Sequence, residues 1–256
     1  MLTAEHDGGQ RKSHPYWDGT YGAYQARVSQ ELVHHLKAST PRNNLPNQTP
    51  AEDAPTVLIR EIALSRHGHS RSVTQLHYSG WPDFGVPTDP AHLLGIVRIC
   101  RNEVRRHGQA IDDKDAYDAL PIVVHCSAGC GRTGTFCTVD SVVATLEARM
   151  QEREVPVTGF MDDCSEEDLV TQTVEDFRHQ RLSMVQTLRQ FVLCYETVLE
   201  WFDEGLKDGP ARNEERPRSL VESENGGLHR ETSAARRPAA ERRKSHGVKS
   251  PGNYFA

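Results

Sequence analysis

The chain has 256 residues, of which 36% are hydrophobic, and a formal net charge of −6. That length permits one folded domain with tails, and mild acidity argues for neither nucleic acid nor a membrane as the main partner. No apolar run approaches a membrane span, and the opening Met-Leu-Thr-Ala-Glu-His-Asp lacks the basic and apolar segments of a signal peptide. The six cysteines, at positions 100, 126, 130, 137, 164 and 194, follow neither a disulfide-scaffold nor a zinc-ligand spacing. Reduced cysteines in an intracellular chain are the simpler expectation.

In chain order, residues 1–36 open with Met-Leu-Thr, pass through Lys12-Ser13-His14-Pro15-Tyr16-Trp17 and continue into β-formers Tyr21, Tyr24 and Val28. Residues 38–55, rich in Ser, Thr, Pro, Asn and Gln without a period, read as a surface loop. Thr56 to Ser65 and Ser72 to Ser79 are β-rich and partly alternating, which with the preceding strand predicts an antiparallel meander. Trp81-Pro82-Asp83-Phe84-Gly85-Val86-Pro87 is a loop in which two aromatics flank a single acid. Either a lid carries a proton donor there, or a proline-rich turn carries a solvated Asp83. Asp89-Pro90 marks a helix start, with Leu93, Leu94, Val97, Cys100 and Val104 as its apolar face. The acidic stretch Asp112 to Asp118 reads as a solvated loop.

Ile122 to Val124 has the continuous apolar pattern of a strand buried on both faces, and Cys126 to Arg132 is a tight loop. From Thr133 onward, Phe136, Val139, Val142, Val143 and Leu146 recur at helical spacing. A strand feeding a glycine-bearing loop and then a helix is an anion site, because backbone N–H groups and the helix dipole converge there. Gly129 and Gly131 relax the backbone, and Arg132 adds a planar fork that matches two phosphate oxygens. Cys126 sits where these fields meet, so its thiol is expected to ionise readily and act as a nucleophile. An inert, buried Cys126 is the bland alternative.

Residues 151–165 read as a polar loop, and Ser165-Glu166-Glu167-Asp168 as a capping box before Leu169, Val170, Val174 and Phe177. Gln186 and Gln190 stand at the start of a last helix that runs through Phe191, Cys194, Val198 and Trp201. From about Gly205 large apolar residues almost vanish, which predicts a disordered tail over 205–256. That tail holds eleven Lys/Arg and seven Asp/Glu, a net +4, against about −10 for residues 1–204. Arg236-Arg237 and Arg242-Arg243-Lys244-Ser245 read as a solubilising charged tail, a basophilic-kinase site or a nuclear-import signal.

Three strings together resemble the protein tyrosine phosphatases: His125-Cys126-(five residues)-Arg132-Thr133, Trp81 to Pro87, and Phe177-Arg178-His179-Gln180-Arg181-Leu182-Ser183-Met184-Val185-Gln186-Thr187. The resemblance covers about residues 1–203 and places a partial catalytic domain at 1–204. It implies an α/β fold with a twisted mixed sheet flanked by helices. It also implies a two-step phosphoryl transfer. Cys126 attacks phosphorus. The loop from Ser127, Ala128, Gly129, Cys130 and Gly131 to Arg132 holds the phosphate, and Asp83 acts as general acid and then base. Gln186 positions water, Gln190 contributes to binding, and Thr133 stabilises the departing thiolate. His125 and Trp81 position their loops. Lys12 approaches the acid loop and Asp7 pairs with Arg132, although Asp7 stands where the family has Glu and Ser13 where it has Cys; Lys12 is equally readable as a solvated surface charge.

The resemblance implies no metal and no cofactor, reversible inactivation by peroxide through a sulfenic acid, and phosphotyrosine proteins, phosphorylated signalling kinases among them, as partners. It implies a cytoplasmic location, with the nucleus open. The absence of lysine between Cys126 and Arg132 argues against the inositol-lipid branch. The family's domain has more chain ahead of its Met-Leu-Thr strand, including a recognition tyrosine, so N-terminal strands and helices are expected to be missing. A non-catalytic phosphopeptide-binding module and a fragment that does not fold alone are therefore the alternatives to an active phosphatase.

Overall fold

Long alternating strands build the sheet that delivers the acid loop. The structure, a computed structural model, describes residues 1–39, 55–111, 120–153, 168–207 and 254–255. A short hairpin, β1 (His6–Asp7) and β2 (Gln10–Arg11), precedes four antiparallel strands. These are β3 (Gly19–Tyr21), β4 (Tyr24–His35), β5 (Thr56–Arg66) and β6 (His69–Tyr78), adjacent in chain order. The expected meander is therefore present, with Ile59 opposite Leu76 and Val57 opposite Tyr78. Among the described residues four helices follow: α1 (Pro90–Ile111), α2 (Gly131–Arg153), α3 (Leu169–Gln180) and α4 (Leu188–Lys207). A third sheet pairs β7 (Ile122–Val123) in parallel with β8 (Tyr254–Phe255).

Helix α2 is the axis of the helical layer. Residues 131–143 are all buried, a far broader face than the apolar spacing alone predicts. Some of its polar groups are tied locally or to α1: the Thr135 hydroxyl donates to the Gly131 carbonyl at 2.9 Å, and Arg101 of α1 donates to the Asp140 main-chain carbonyl at 2.6 Å and to its carboxylate at 2.5 Å. Around it pack Leu93, Leu94 and Val97 of α1, Val170, Val174 and Phe177 of α3, and Leu193, Cys194 and Val198 of α4. Val57, Tyr78 and Trp81 close this core from the sheet side. A smaller cluster of Met1, Trp17, Ala26 and Ile62 forms a second core.

Several boundaries move relative to the sequence. Met1 to Thr3 is not a regular strand, yet its backbone bridges two elements: the Leu2 amide donates to the His125 carbonyl at 2.8 Å, and the Tyr78 amide to the Met1 carbonyl at 2.9 Å. Helix α2 begins at Gly131, so Arg132 belongs to its first turn instead of the preceding loop, while Thr133 is helical as expected. β7 is not buried on both faces, since Val123 is 66% exposed while Val124 is 4%. An apolar run reports strand propensity but not how many neighbours cover it.

Asp89 and Pro90 start α1 as expected, with the Asp89 carboxylate accepting from the Ala91 amide at 2.9 Å. The cap of α3 falls three residues later than predicted: Asp168 itself is the N-cap, accepting from the Thr171 amide at 3.0 Å. Asp168 can hold that amide because its extended backbone lets the carboxylate reach forward. Helix α4 runs to Lys207, past the expected boundary at 204, with Lys207 paired to Asp203 one turn back; one glycine does not stop a packed helix. The loop at 40–54, the acidic stretch 112–118, residues 154–167 with Cys164, and the tail apart from 254–255 lie outside the described residues.

Leu93 is fully buried at the meeting of α1, α2 and the sheet. Leu93→Ala is expected to cost about 2–5 kcal/mol through lost transfer energy and the cavity left behind. Thermal unfolding checks this, with a Tm lower by roughly 5–15 °C.

Candidate active site

Three loops meet over the start of α2. The first, residues 124–130, carries Cys126, which is 6% exposed. Gly129 has φ +70°, a conformation that favours glycine, and so turns the loop into the helix. The Thr133 hydroxyl donates to Cys126 Sγ at 3.3 Å. Burial pushes the Cys126 thiol up. The Thr133 hydroxyl, the Thr133 and Gly129 amides and the Arg132 charge outweigh it, and the net shift is downward. By contrast, burial pushes Cys100 and Cys194 up to about 12. Only Cys126 among these is set up as a thiolate nucleophile.

The second loop brings Asp83. Trp81 is fully buried, and its indole N–H donates to the Gly85 carbonyl at 2.9 Å, pinning the loop across its base. The loop tip is strained: Phe84 has φ +56° and is 59% exposed. Asp83 is held from two sides, 2.9 Å from Arg132 Nη2 and 2.9 Å from Lys12 Nζ. Arg132, 2% exposed, also donates through Nη1 to the Trp81 carbonyl at 3.0 Å. Desolvation raises the Asp83 carboxyl, but the Lys12 hydrogen bond and the Arg132 and Lys12 charges hold it below its usual range.

The third loop, residues 181–187, is jammed against the first. The Val185 amide donates to the Cys130 carbonyl at 3.3 Å, and a Cβ on Gly134 would lie 2.5 Å from the Val185 nitrogen. Ser183 and Val185 both have positive φ, the cost of this close approach. Gln190 is 1% exposed, and its Oε1 accepts from the Gln186 and Thr187 amides at 3.0 and 3.2 Å. Its Nε2 donates to the Gly85 carbonyl at 3.4 Å. Gln190 thus ties the third loop to the second, whereas the Gln186 residue is exposed. The two glutamines, indistinguishable in sequence, have different surroundings.

Asp7 departs from its expected partner. Its carboxylate accepts from the Asp83 amide at 3.2 Å instead of pairing with Arg132. Asp7 thus braces the backbone of the acid loop. The sequence reading missed three contributors. Tyr16 shares a 2.6 Å hydrogen bond with His125 Nε2, and the other ring nitrogen, Nδ1, lies 3.2 Å from the Cys126 carbonyl. Arg178 donates to the Met184 and Val185 carbonyls at 3.0 and 2.9 Å, and Arg181 to the Ala128 carbonyl at 3.0 Å. All three stand inside motif strings, but their partners are remote in sequence or main-chain. Ser127 and Ala128 are exposed on the outer rim of the loop.

Among the described residues, one carboxylate and histidine group has cation-binding spacing: Glu61, Glu103 and His107. Arg106 already pairs with both carboxylates there. It is no part of the three-loop site.

Comparison with known proteins places the chain in a family. The profile of the protein-tyrosine phosphatase family matches residues 1–200. This chain belongs to that family. It is 31% identical over 209 residues to human receptor-type tyrosine-protein phosphatase alpha, covering 79% of this chain and 20% of that protein. It is 32% identical over 216 residues to human tyrosine-protein phosphatase non-receptor type 9, covering 80% and 30%. The solved catalytic domain of human protein tyrosine phosphatase non-receptor type 18 superposes with a TM-score of 0.55 at 29% identity, covering 78% of this chain and 58% of that one. A structure of the type 18 enzyme with HER2 phosphopeptides gives a TM-score of 0.54 at 30% identity. The chain thus spans under a third of these curated relatives and about three-fifths of the solved domain.

Two outcomes are expected. Thr133→Val moves the pH midpoint of Cys126 alkylation by iodoacetamide upward, toward that of an ordinary thiol, because one stabilising donor is lost. Gly134→Ala lowers stability by about 1–3 kcal/mol in thermal unfolding, since the added Cβ would strike the Val185 backbone, which cannot swing away.

Proposed function

We propose that this chain hydrolyses phosphotyrosine in proteins through a cysteinyl-phosphate intermediate. The observation that carries the reading is the meeting of Cys126, Arg132 and Asp83 from separate loops, with the thiol lowered and an acid 2.9 Å from the arginine. Cys126 Sγ attacks phosphorus, forming an S–P bond while the bond to the tyrosine oxygen breaks. Loop amides and Arg132 stabilise the charge on the equatorial oxygens.

Phosphate in the loop competes with Asp83 for the Arg132 fork. Losing that partner raises the affinity of Asp83 for a proton, which suits it to protonate the departing phenolate. Asp83 then takes a proton from a water held by Gln186, and that water displaces the cysteine. Thr133 steadies the returning thiolate. Gln190, Trp81 and Lys12 position the acid loop, Asp7 braces the Asp83 amide, and His125, set by Tyr16, orients the Cys126 turn.

Several observations support a protein substrate and a cytoplasmic setting. Two structures of the type 18 enzyme hold HER2 phosphopeptides. Among the described residues no helix is long and apolar enough to cross a membrane, and Cys100, Cys126, Cys130, Cys137 and Cys194 are free thiols. Phosphorylated signalling kinases are the proposed partners. The basic tail is a proposed route to the nucleus.

The test is metal-free turnover of a phosphotyrosine peptide. Cys126→Ser is expected to abolish it, and Asp83→Asn to lower kcat about 10²–10⁴-fold with little change in KM. Cys126→Ser should leave the unfolding transition unchanged, and Asp83→Asn, which removes the charge facing Arg132 but keeps an accepting oxygen, should still unfold in one cooperative step. Phosphopeptide binding without turnover by the unmutated chain would overturn the reading in favour of a binding module.

A further inference from the structure

The segment that leaves β4 is clasped to the first turns of α1. The Asp89 carboxylate accepts from the Ser39 amide at 2.8 Å and from the Ser39 hydroxyl at 2.6 Å, besides the Ala91 amide that it holds as the cap of α1. Leu36, buried on the same segment, packs so closely on α1 that a Cβ on Gly95 would lie 3.1 Å from it. His92 stands three residues from both Asp89 and Gly95, and so on the same face of the helix. It is 3% exposed, and neither of its ring nitrogens has a hydrogen-bond partner. His77, the other buried histidine among the described residues, is fully partnered: Arg60 lies 3.1 Å from its Nδ1 and the Thr3 carbonyl 3.0 Å from its Nε2.

We propose that His92 is a proton-sensitive latch on this clasp: a proton taken up by the ring draws the Asp89 carboxylate away from Ser39 and opens the contact between the end of β4 and α1. A buried imidazole without partners is tolerated when neutral and is costly when charged. Of the charged groups on the elements that meet here, Lys37 and Arg98 are exposed, and Asp83 is taken up by Arg132 and Lys12. Asp89 is the charge that acts on the ring. Its donors at the clasp, two amides and a hydroxyl, are neutral, so an imidazolium competes with them on favourable terms.

The direction of the switch follows from burial. Desolvation holds the proton affinity of His92 below the ordinary 6.5, and Asp89 offsets only part of that. At neutral pH the ring is therefore uncharged and the clasp is shut. As pH falls through 6.5, the open form, in which water reaches the ring, binds the proton more readily than the closed form, and acid opens the clasp progressively. The proton comes from solvent, and no covalent bond changes. Asp89 stands at the far end of the loop that carries Asp83, so opening frees that end while the Trp81 indole still pins the base. The inference rests on the clasp and not on the phosphatase reading, and its test needs no turnover.

The test is amide hydrogen exchange, expressed as protection factors, at Ser39 and Ala91 between about pH 7.5 and about pH 5.5. It compares the full chain with full-length His92→Gln and His92→Leu. Protection of both amides in the unmutated chain is expected to fall about ten-fold across that range. In the two variants, whose new side chains bind no proton there, it should stay level. Protection in β5 should hold in all three proteins, which shows that the fold persists. Titration of the His92 ring by NMR should give a midpoint below 6.5. An equal loss of protection in the unmutated and His92→Gln chains would overturn the proposal, as would a ring midpoint at or above 6.5. Variants that are less protected at every pH, yet lose protection just as steeply, would also overturn it by leaving His92 a packing role alone.

Discussion

The contact on which the site depends is the pair between Arg132 and Asp83. Arg132 is 2% exposed, and a guanidinium so deeply placed must be fully partnered. It finds a carbonyl at Trp81 and a carboxylate at Asp83, both on the acid loop. The pairing that satisfies the buried cation therefore also draws the acid loop onto the anion loop. Lys12, from the segment after the first hairpin, adds a second cation on the other carboxylate oxygen. A phosphate group offers Arg132 the same kind of partner, so in the proposed reaction substrate and acid share one cation. Loop position and substrate occupancy are then coupled by electrostatics alone.

What makes that pair possible is close backbone packing at the start of α2. Gly131 and Gly134 leave room where side chains would strike Gln190 and the main chain of Met184 and Val185. The positive φ of Ser183 and Val185 keeps the third loop in contact. Strain of this kind persists only where surrounding packing over-determines it. Arg178 supplies part of that by holding the Met184 and Val185 carbonyls, and Gln190 supplies more by holding the next two amides.

Much of this was legible in the chain. The loop Cys126–Arg132 and the string Trp81–Pro87 are local signals, because strand, glycine and helix spacing are set by near neighbours. The meander from Tyr24 to Tyr78 was legible because strands consecutive in the chain tend to pair, here even across the twenty residues between β4 and β5. Contacts between remote residues were not. Tyr16 meets His125 across 109 positions, and the Met1–Leu2 backbone bridges Tyr78 and His125 without a regular strand pattern. The exposure of Val123 depends on what covers β7, which no apolar run encodes. Asp7 was placed against Arg132 by resemblance, but its carboxylate accepts from the Asp83 amide, a main-chain contact that no residue spacing encodes.

The same cation also sets an order of events in the proposed mechanism. Arg132 lowers both the Cys126 thiol and the Asp83 carboxyl, so the site without phosphate favours two anions. A nucleophile benefits from that state, but a general acid does not. Phosphate binding resolves the conflict because its negative charge draws on Arg132 and weakens the hold on Asp83, while the Thr133 hydroxyl and the loop amides still support the thiolate. Thiolate and protonated acid then coexist only with substrate in place. Sharing one arginine between the two groups thereby ties the proton on Asp83 to the presence of the phosphate that requires it.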